Sequence, residues 1–307
     1  MRTVFFGTPR WAVPSLEALL ASDIEVAAVV TNPDRPAGRG MELRPSPVKE
    51  RALLAGLEVL QPQRARAPEF HDALTELAPE VATVVAYGKI LPASLLAVPR
   101  LGFVNLHFSL LPAYRGAAPV QRAVMDGRPV SGVSIMVLTE GMDEGPLLST
   151  TEEPIRDDDT AGSLGDRLAA IGSTGLVDAI AAYGAGELSP VEQDHDAATN
   201  APKITTEEAA IDWTQSSLAI RNKVRGLNPV PGAWTSLRGK RTKIWTTRPQ
   251  GEGGLDPGEL DVRDGALVAG TGDGALELTE VQLQSKKPMS GVDAARGLRL
   301  ARGERFE

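Results

Sequence analysis

The 307-residue sequence contains no cysteine, and only 4% of its residues are aromatic. Without cysteine there is no disulfide framework, no zinc site built from thiolates and no cysteine nucleophile. The absence fits a reducing compartment, and we predict a cytoplasmic location. Any active site must therefore be built from other residue types.

Long uninterrupted apolar runs are also missing. The longest apolar region, residues 81–98, contains Lys89 and Pro92, and the apolar run near the N-terminus is too short for a signal peptide. We therefore predict no membrane partner. No coiled-coil pattern or extended apolar patch indicates an oligomer, so we predict a monomer.

The net charge of −8 is unevenly distributed along the chain. Residues 1–199 hold 16 basic and 26 acidic side chains, whereas residues 200–307 hold 16 basic and 14 acidic ones. A basic face in the last third is therefore compatible with an acidic protein, and such a face could bind a polyanion.

Motifs of several common enzyme classes do not occur. The first strand is not followed by G-x-G-x-x-G, and there is no G-x-x-x-x-G-K-[ST], which disfavours dinucleotide-dependent and P-loop enzymes. Neither G-x-S-x-G nor H-E-x-x-H is present. The three histidines, His71, His107 and His195, are too dispersed for a pair of metal ligands, so we predict no metal site.

The first 186 residues alternate between apolar strand-like runs and helical patterns. Strands are predicted at 3–7, 25–31, 81–88, 102–109 and 131–138, with a long helix from Asp159 or Thr160 to Gly184 or Gly186. Near-continuous Val, Ile and Ala runs indicate strands that are covered on both faces. The alternation predicts an α/β domain, Rossmann-like, with a doubly wound and mostly parallel sheet.

The rest of the chain has a different pattern. Residues 187–203 are polar and lack periodicity, so we predict a linker between a domain at 1–186 and a second domain at 204–307. The second domain begins with a predicted helix, capped by Thr205 or Thr206 and ending near Gly226. Short strands with two Asp-Gly turn signals follow, which favours a small OB-like β-barrel. Apolar spacing places Trp213, Trp234 and Trp245 in its core.

Two polar residues interrupt the apolar strand at 102–109. Side chains two residues apart in a strand point to the same side, so Asn105 and His107 project together. They lie near the carboxyl end of a predicted parallel strand, where open α/β sheets bind ligands. A pair of satisfied core polar groups is the alternative interpretation.

A third candidate group follows the next predicted strand. The loop at 138–146 carries Glu140, Asp143 and Glu144, and Gly141 and Gly145 flank Asp143. Consecutive strands are commonly neighbours, so one of these carboxylates could reach His107. A solvated acidic turn is the alternative. Asparagine, histidine and a carboxylate together suit acyl transfer to an amine.

The segments VNLHFSLLPAYRGAAPVQRAV (104–124) and GMDEGP (141–146) resemble those of the 10-formyltetrahydrofolate-dependent formyltransferases. Three further segments occur in the same order along the chain as in the family, namely TNPDRPAGRG, VVAYGKILP and NPVPGAW. The resemblance therefore spans nearly the whole chain. It implies that Asn105, His107 and Asp143 are catalytic and that 10-formyltetrahydrofolate is the formyl donor. The implied folate contacts are Val85, Tyr87, Gly88, Ile90, Ser109, Leu110, Leu111 and Pro112.

The resemblance is strongest to members that formylate methionyl-initiator tRNA, and it implies that acceptor. The implied RNA contacts are Arg35, Arg39, Arg44, Lys240, Arg241 and Lys243. Relatives often have glycine where this chain has Phe108, and lysines where it has Met41 and Glu42. Strand alternation would direct Phe108 away from the site.

Three alternatives remain open from the sequence. One is a formyltransferase that acts on a small amine, such as a ribonucleotide or an amino-sugar nucleotide, and needs no basic second domain. Another is a folate- or RNA-binding module without catalysis. A formyl-folate hydrolase, with water as acceptor, is the third.

Overall fold

The computed structural model describes residues 1–37, 42–251, 254–301 and 303–307. The chain divides into two compact units, one of residues 1–119, 130–154 and 165–202, and one of residues 120–129, 155–164 and 203–307. Residues 187–202, predicted as a linker, thus belong to the first unit. Across the described ranges, no helix has both the length and the apolar composition needed to span a bilayer.

The first unit is built on a seven-stranded sheet. The strands of this unit are β1 (Arg2–Gly7), β2 (Glu25–Val30), β3 (Arg35–Ala37), β4 (Glu42–Arg44), β5 (Val59–Leu60), β6 (Val81–Val85), β7 (Phe103–His107), β8 (Val130–Val137) and β9 (Leu147–Pro154). The sheet order is β5-β2-β1-β6-β7-β8-β9, while β3 and β4 form a separate hairpin. The mostly parallel Rossmann-like sheet is confirmed, since the first five strands of that order pair in parallel.

Helices connect the strands of this sheet. They are α1 (Val13–Leu20), α2 (Pro47–Leu54), α3 (Pro68–Glu76), α4 (Ala93–Leu96), α5 (Pro119–Met125) and α6 (Ala161–Gly184), with 3₁₀ turns at Arg10–Ala12 and His195–Ala197. The long helix α6 has the predicted limits. Its start is closed by reciprocal bonds, in which Thr160 Oγ1 accepts from Ser163 N and Ser163 Oγ accepts from Thr160 N.

The last two strands of the sheet run against the others. β8 is antiparallel to β7, with His107 opposite Ser134 and Val104 opposite Val137, and β9 is antiparallel to β8. The loop after β8 therefore starts beside the amino end of β7. Sequence alternation cannot reveal this direction, because a strand buried on both faces has the same apolar pattern in either direction.

The second unit contains nearly all of α5, the first residues of α6, a six-stranded antiparallel sheet and two further helices. The strands and further helices are α7 (Ser217–Leu227), β10 (Ala233–Leu237), β11 (Lys240–Pro249), β12 (Leu260–Arg263), β13 (Ala266–Gly270), β14 (Ala275–Leu283), β15 (Met289–Ser290) and α8 (Gly291–Leu298). The order is β10-β11-β14-β13-β12, with β15 on β14. Both Asp-Gly turns connect neighbouring strands as predicted, and within the described residues β10 and β12 do not pair to close a barrel.

The first helix of this unit begins later than predicted. α7 starts at Ser217, and Ser216 Oγ caps it by accepting from the Ala219 amide. The preceding residues cannot be helical, because the Ile211 amide donates to the Trp234 carbonyl and the Trp234 amide donates to Ala209. Pairing with β10 therefore overrides the apparent cap at Thr205.

Close packing of α6 on β7 leaves no room for a side chain at Gly172. A Cβ placed there would lie 2.8 Å from both terminal methyl groups of Leu106. We predict that Gly172→Ala lowers the free energy of unfolding by about 1–3 kcal/mol, because the buried Leu106 side chain, which lies between Asn105 and His107 on β7, must leave its packed position. Urea unfolding measures this change.

Gly175→Ala is the matched control for Gly172→Ala. A Cβ at Gly175 would lie 3.5 Å from the Ile135 Cδ1 atom, an ordinary contact. Alanine favours the helix over glycine, so Gly175→Ala should be neutral or stabilising by up to about 1 kcal/mol. Equal effects of the two substitutions would contradict the packing explanation.

Candidate active site

Asn105 and His107 open onto a cavity of about 600 Å³ in the first unit. They are 8% and 6% exposed, and their spacing on β7 brings both side chains to the same region. This volume is typical of small-molecule sites. The cavity is lined by Pro9, Trp11, Val84, Ala86, Tyr87, Gly88, Lys89, Ile90, Leu91, Leu96, Asn105, Leu106, His107, Phe108, Gly116, Ala117, Pro119, Leu138, Thr139, Glu140, Gly141, Met142 and Asp143.

The His107 ring has a defined hydrogen on Nε2. This nitrogen lies 2.9 Å from the Tyr114 carbonyl oxygen, which can only accept, so Nε2 donates. The other nitrogen, Nδ1, lies 3.6 Å from Asp143 Oδ2. When Nδ1 also carries a proton, the ring is a cation that lies beside the Asp143 carboxylate and can donate a hydrogen bond from Nδ1. With Nδ1 free, the same nitrogen can accept a proton.

Asp143 reaches His107 from the loop between β8 and β9. Because β8 is antiparallel, this loop returns along the sheet to reach the carboxyl end of β7. Asp143 has a φ of 53°, in the left-handed region, and its Oδ2 accepts from the Gly116 amide at 2.8 Å. A Cβ at Gly145 would lie 1.9 Å from the Val137 carbonyl oxygen. The glycine is therefore required for the close approach of the loop to β8.

The Asn105 carboxamide is available to a ligand. Among the described residues it has no hydrogen-bonding partner, although it is largely buried. A buried amide without a protein partner is costly unless water or a ligand satisfies it. The structure thus brings together Asn105, His107 and Asp143, whereas Glu140 lines the exposed rim and Glu144 is outside the lining.

The residues implied as folate contacts fall into two groups. Tyr87, Gly88 and Ile90 line the cavity, and Ile90 is 74% exposed. Val85 is fully buried and does not contribute to the lining, since it alternates with Val84 on β6.

The implied contacts at Ser109, Leu110, Leu111 and Pro112 do not line the described cavity. Their polar groups are used internally. Ser109 Oγ donates to the Ala113 carbonyl, and the Leu111 amide donates to Ser134 Oγ. In this structure the stretch shapes the turn after β7.

Phe108 lies beyond the end of β7 and packs against Trp11, with 5.9 Å between ring centroids. Trp11 in turn donates from Nε1 to Asp166 on α6, the helix that also contacts Leu106 through Gly172. The packing agrees with a Phe108 side chain on the α6 side of the strand. Phe108 and Trp11 nevertheless both form part of the cavity wall, so the prediction that Phe108 is directed away from the site is wrong. Sequence reasoning also missed Trp11.

Gln193 and Arg115 are further residues that sequence reasoning missed. Gln193 lies in the predicted linker but is only 5% exposed, and it contacts the loop that carries Asp143. Arg115 is also buried and donates to the Gln193 carboxamide oxygen. A polar residue in a segment without periodicity gives no sequence signal for burial.

Two of the implied RNA contacts, Arg35 and Arg44, lie on the hairpin of β3 and β4. Arg35 and Arg44 are paired across this hairpin, and both are exposed. Arg39 and Met41 lie outside the described residues, and Glu42 is exposed on β4. At the base of the hairpin, Lys49 Nζ lies 2.7 Å from Asp34 Oδ2, and a bond from Lys49 lowers the pKa of Asp34.

In the second unit, cations lie beside aromatic rings on β10 and β11. Lys240 and Arg241 are exposed, and the Arg241 guanidinium lies 4.0 Å from the centroid of Trp234. Lys243 Nζ lies 5.0 Å from the centroid of Trp245.

The prediction that all three tryptophans are core residues is confirmed for Trp213 and wrong for Trp245, while Trp234 is only partly buried but packs against the core of the second unit. Trp213 is buried and stacked on Phe306, but Trp234 and Trp245 are half-buried. The alternation of β10 and β11 turns these two rings away from Ala233 and Ile244, which are fully buried.

Two sequence families match this chain. The family described as "Formyl transferase" matches residues 1–180, and "Formyl transferase, C-terminal domain" matches residues 203–299. A protein of Streptomyces griseus named methionyl-tRNA formyltransferase is 51% identical over 306 residues, covering 99% of both chains. A protein of the same name from Streptomyces coelicolor is 50% identical over 307 residues, again covering 99% of each.

A solved structure shares the fold. The structure of HypX from Aquifex aeolicus in complex with tetrahydrofolic acid superimposes with a TM-score of 0.67 at 18% identity. The match covers 99% of this chain and 48% of HypX. At this identity the likeness concerns the fold alone.

Burial raises the pKa of the cavity residue Tyr87 to about 12. Its hydroxyl has no hydrogen-bonding partner within the described ranges. Because the pKa is higher in the folded state than in the unfolded one, ionisation of this hydroxyl does not affect folding stability below pH ~10, and stability falls as the pH rises from ~10 towards 12.

We predict that Tyr87→Phe removes an absorbance step near pH 12 from the tyrosinate titration. The free energy of unfolding at neutral pH should be unchanged or raised by about 1 kcal/mol, since an unpaired buried hydroxyl is removed. Tyr183→Phe, which alters a half-buried ring, is the control for tyrosine number. An unchanged titration near pH 12 would contradict the assignment.

Proposed function

Because the chain belongs to the formyl transferase family, we propose that its cavity transfers a formyl group to an amine. The acceptor is the free amine of methionyl-initiator tRNA, giving formylmethionyl-tRNA for translation initiation. Support for this acceptor comes from relatives about 50% identical over nearly their full length, which are named methionyl-tRNA formyltransferase. The observation that carries the proposal is the convergence of Asn105, His107 and Asp143 at one cavity.

The cavity fits 10-formyltetrahydrofolate as the formyl donor. Its volume of about 600 Å³ is large enough for a folate ring system, it is mainly apolar, and the Asn105 carboxamide lacks a partner among the residues described. Tyr87, Gly88 and Ile90 would hold the donor. When bound, the donor supplies the formyl carbon, which moves from a folate nitrogen to the amine nitrogen.

The three polar residues have separable roles in this proposal. The Asn105 carboxamide and protonated Nδ1 of His107 donate to the formyl oxygen as it gains negative charge. Asp143 stabilises the His107 cation across 3.6 Å and helps to take the proton that the amine releases. Tyr114 holds the ring from its other nitrogen, so Nδ1 remains directed at Asp143.

Basic residues of each unit would contact the tRNA. The proposal assigns Arg35, Arg39 and Arg44 of the first unit, and Lys240, Arg241 and Lys243 of the second. Exposed arginines and the Arg241–Trp234 contact suit phosphate and base contacts. We also propose that the protein acts as a monomer in the cytoplasm, where translation supplies this acceptor.

Comparison of acceptors tests the proposed function. Purified protein with 10-formyltetrahydrofolate should formylate charged initiator tRNA and not a small amine such as an amino-sugar nucleotide or a ribonucleotide amine. If the protein formylates a small amine but not charged initiator tRNA, the alternative acceptor class is favoured. Formate release without an acceptor would favour a hydrolase, and folate binding without any product would favour a binding module.

Asn105→Ala should lower the single-turnover rate of formyl transfer by about 10²–10³-fold, the cost of one lost oxyanion donor. His107→Ala should be at least as damaging. Rapid-quench measurement with saturating donor and tRNA gives this rate, and circular dichroism checks the fold. A near-normal rate in a folded His107→Ala variant would overturn the assigned roles.

Arg44→Ala should weaken tRNA binding and reduce the slope of log K against log salt by about 1, because one phosphate contact is lost. The KM for the formyl donor should not change. Glu42→Ala is the matched control, since it removes a negative charge from the same exposed strand and should strengthen binding. If both variants bind tRNA like the parent protein, the hairpin does not contact RNA.

A further inference from the structure

Gln193 uses its whole carboxamide inside the first unit. Its Nε2 donates to the Asp143 carbonyl at 3.0 Å and to the Gly145 carbonyl at 2.7 Å. Its Oε1 accepts from Arg115 Nη2 at 2.7 Å and Nε at 3.2 Å. A carboxamide with both hydrogens and its oxygen engaged has one orientation, so it fixes the groups that it joins.

The loop that receives these bonds has little packing of its own. Between β8 and β9 it contains no helix or strand, and Thr139, Glu140, Met142 and Glu144 are exposed. Asp143 has a left-handed backbone, which costs free energy for a residue other than glycine. Gln193 lies outside the loop and donates to the carbonyls of Asp143 and Gly145. These two bonds hold the loop in this conformation.

Three successive residues connect this tether to the catalytic groups. The Tyr114 carbonyl accepts from His107, the Arg115 side chain holds Gln193, and the Gly116 amide donates to the Asp143 carboxylate. His107, Gln193 and Asp143 are therefore positioned against one short stretch of main chain.

Residues from the segment that carries Gln193 also hold this stretch. The Tyr114 amide donates to Thr199 Oγ1, the Arg115 amide donates to the Thr199 carbonyl, and the Ala201 amide donates to the Arg115 carbonyl. Segment 187–202 thus holds residues 114–116 through its backbone and the Thr199 hydroxyl, and it holds the Asp143 loop through Gln193.

We propose that Gln193 is a positioning residue for formyl transfer, which sets the Asp143 carboxylate relative to Nδ1 of His107. The inference rests on the proposed function, because it assigns Gln193 a role in the same reaction. Gln193 does not line the cavity, so it acts through Asp143 rather than on the substrates.

Two substitutions of Gln193 test the proposal. Gln193→Glu keeps an acceptor for Arg115 but loses both donors to the loop, and Gln193→Leu loses every hydrogen bond of the carboxamide. Both should lower kcat by about 10- to 100-fold, because a displacement of about 1 Å of a catalytic group has effects of this size. The KM values for 10-formyltetrahydrofolate and tRNA should stay within about twofold, since neither substrate contacts the tether.

Two control variants separate positioning from a general loss of stability. Leu19→Ala removes a fully buried side chain of α1 that does not line the cavity, so it should lower the unfolding midpoint and leave kcat per folded enzyme unchanged. Glu192→Gln alters the exposed neighbour of Gln193 and should change neither. A kcat loss in Leu19→Ala as large as that in Gln193→Glu would overturn the proposal.

A double substitution tests whether Gln193 acts through Asp143. In an Asp143→Ala background, adding Gln193→Leu should lower the single-turnover rate by less than about twofold, since the carboxylate that Gln193 positions is gone. A further loss as large as that in the parent enzyme would overturn the proposal. If the unsubstituted enzyme fails to formylate initiator tRNA, the proposed function fails. If it succeeds and Gln193→Glu matches it in kcat, only the role of Gln193 fails.

Discussion

The bond from His107 Nε2 to the Tyr114 carbonyl is the constraint on which the chemistry of the site depends. It occupies one ring nitrogen and leaves Nδ1 directed at Asp143. A histidine held in this way has one ring nitrogen left for the role proposed for it in formyl transfer. The bond also requires residues 114–116 to stay close to the end of β7, so the turn after the strand is part of the site.

The remaining architecture supports that arrangement from two directions. β7 lies in the interior of the sheet, between β6 and β8. Leu106 on β7 packs closely against α6 at Gly172, and this contact limits movement of Asn105 and His107. From the other direction, the antiparallel β8 and β9 deliver the Asp143 loop over the same region. Gln193, from a segment that looked like a connection between domains, joins the loop to the turn.

Most of the fold could be predicted because its signals are local. Apolar strands alternate with helices, α6 has the predicted ends, and both Asp-Gly turns are formed. The predictions failed where contacts between residues distant in sequence determine the start of a helix or the burial of a side chain. α7 starts later than predicted because the preceding residues pair with β10, and Trp245 is only half-buried because its strand buries the alternate residues. The implied folate contacts at Ser109–Pro112 stay a prediction from motif position. In the structure, Ser109 Oγ donates within the turn and the Leu111 amide donates to Ser134 on β8.

The sequence by itself determined the strand that carries Asn105 and His107 and their common side, because side-chain alternation along a strand is a local property. It also indicated, through flanking glycines, a loop able to bring Asp143 close. Only the tertiary structure decided that β8 is antiparallel, that Nδ1 of His107 faces Asp143, and that Gln193 is buried against the loop. Each depends on hydrogen bonds between residues distant in sequence, for which composition and periodicity give no signal.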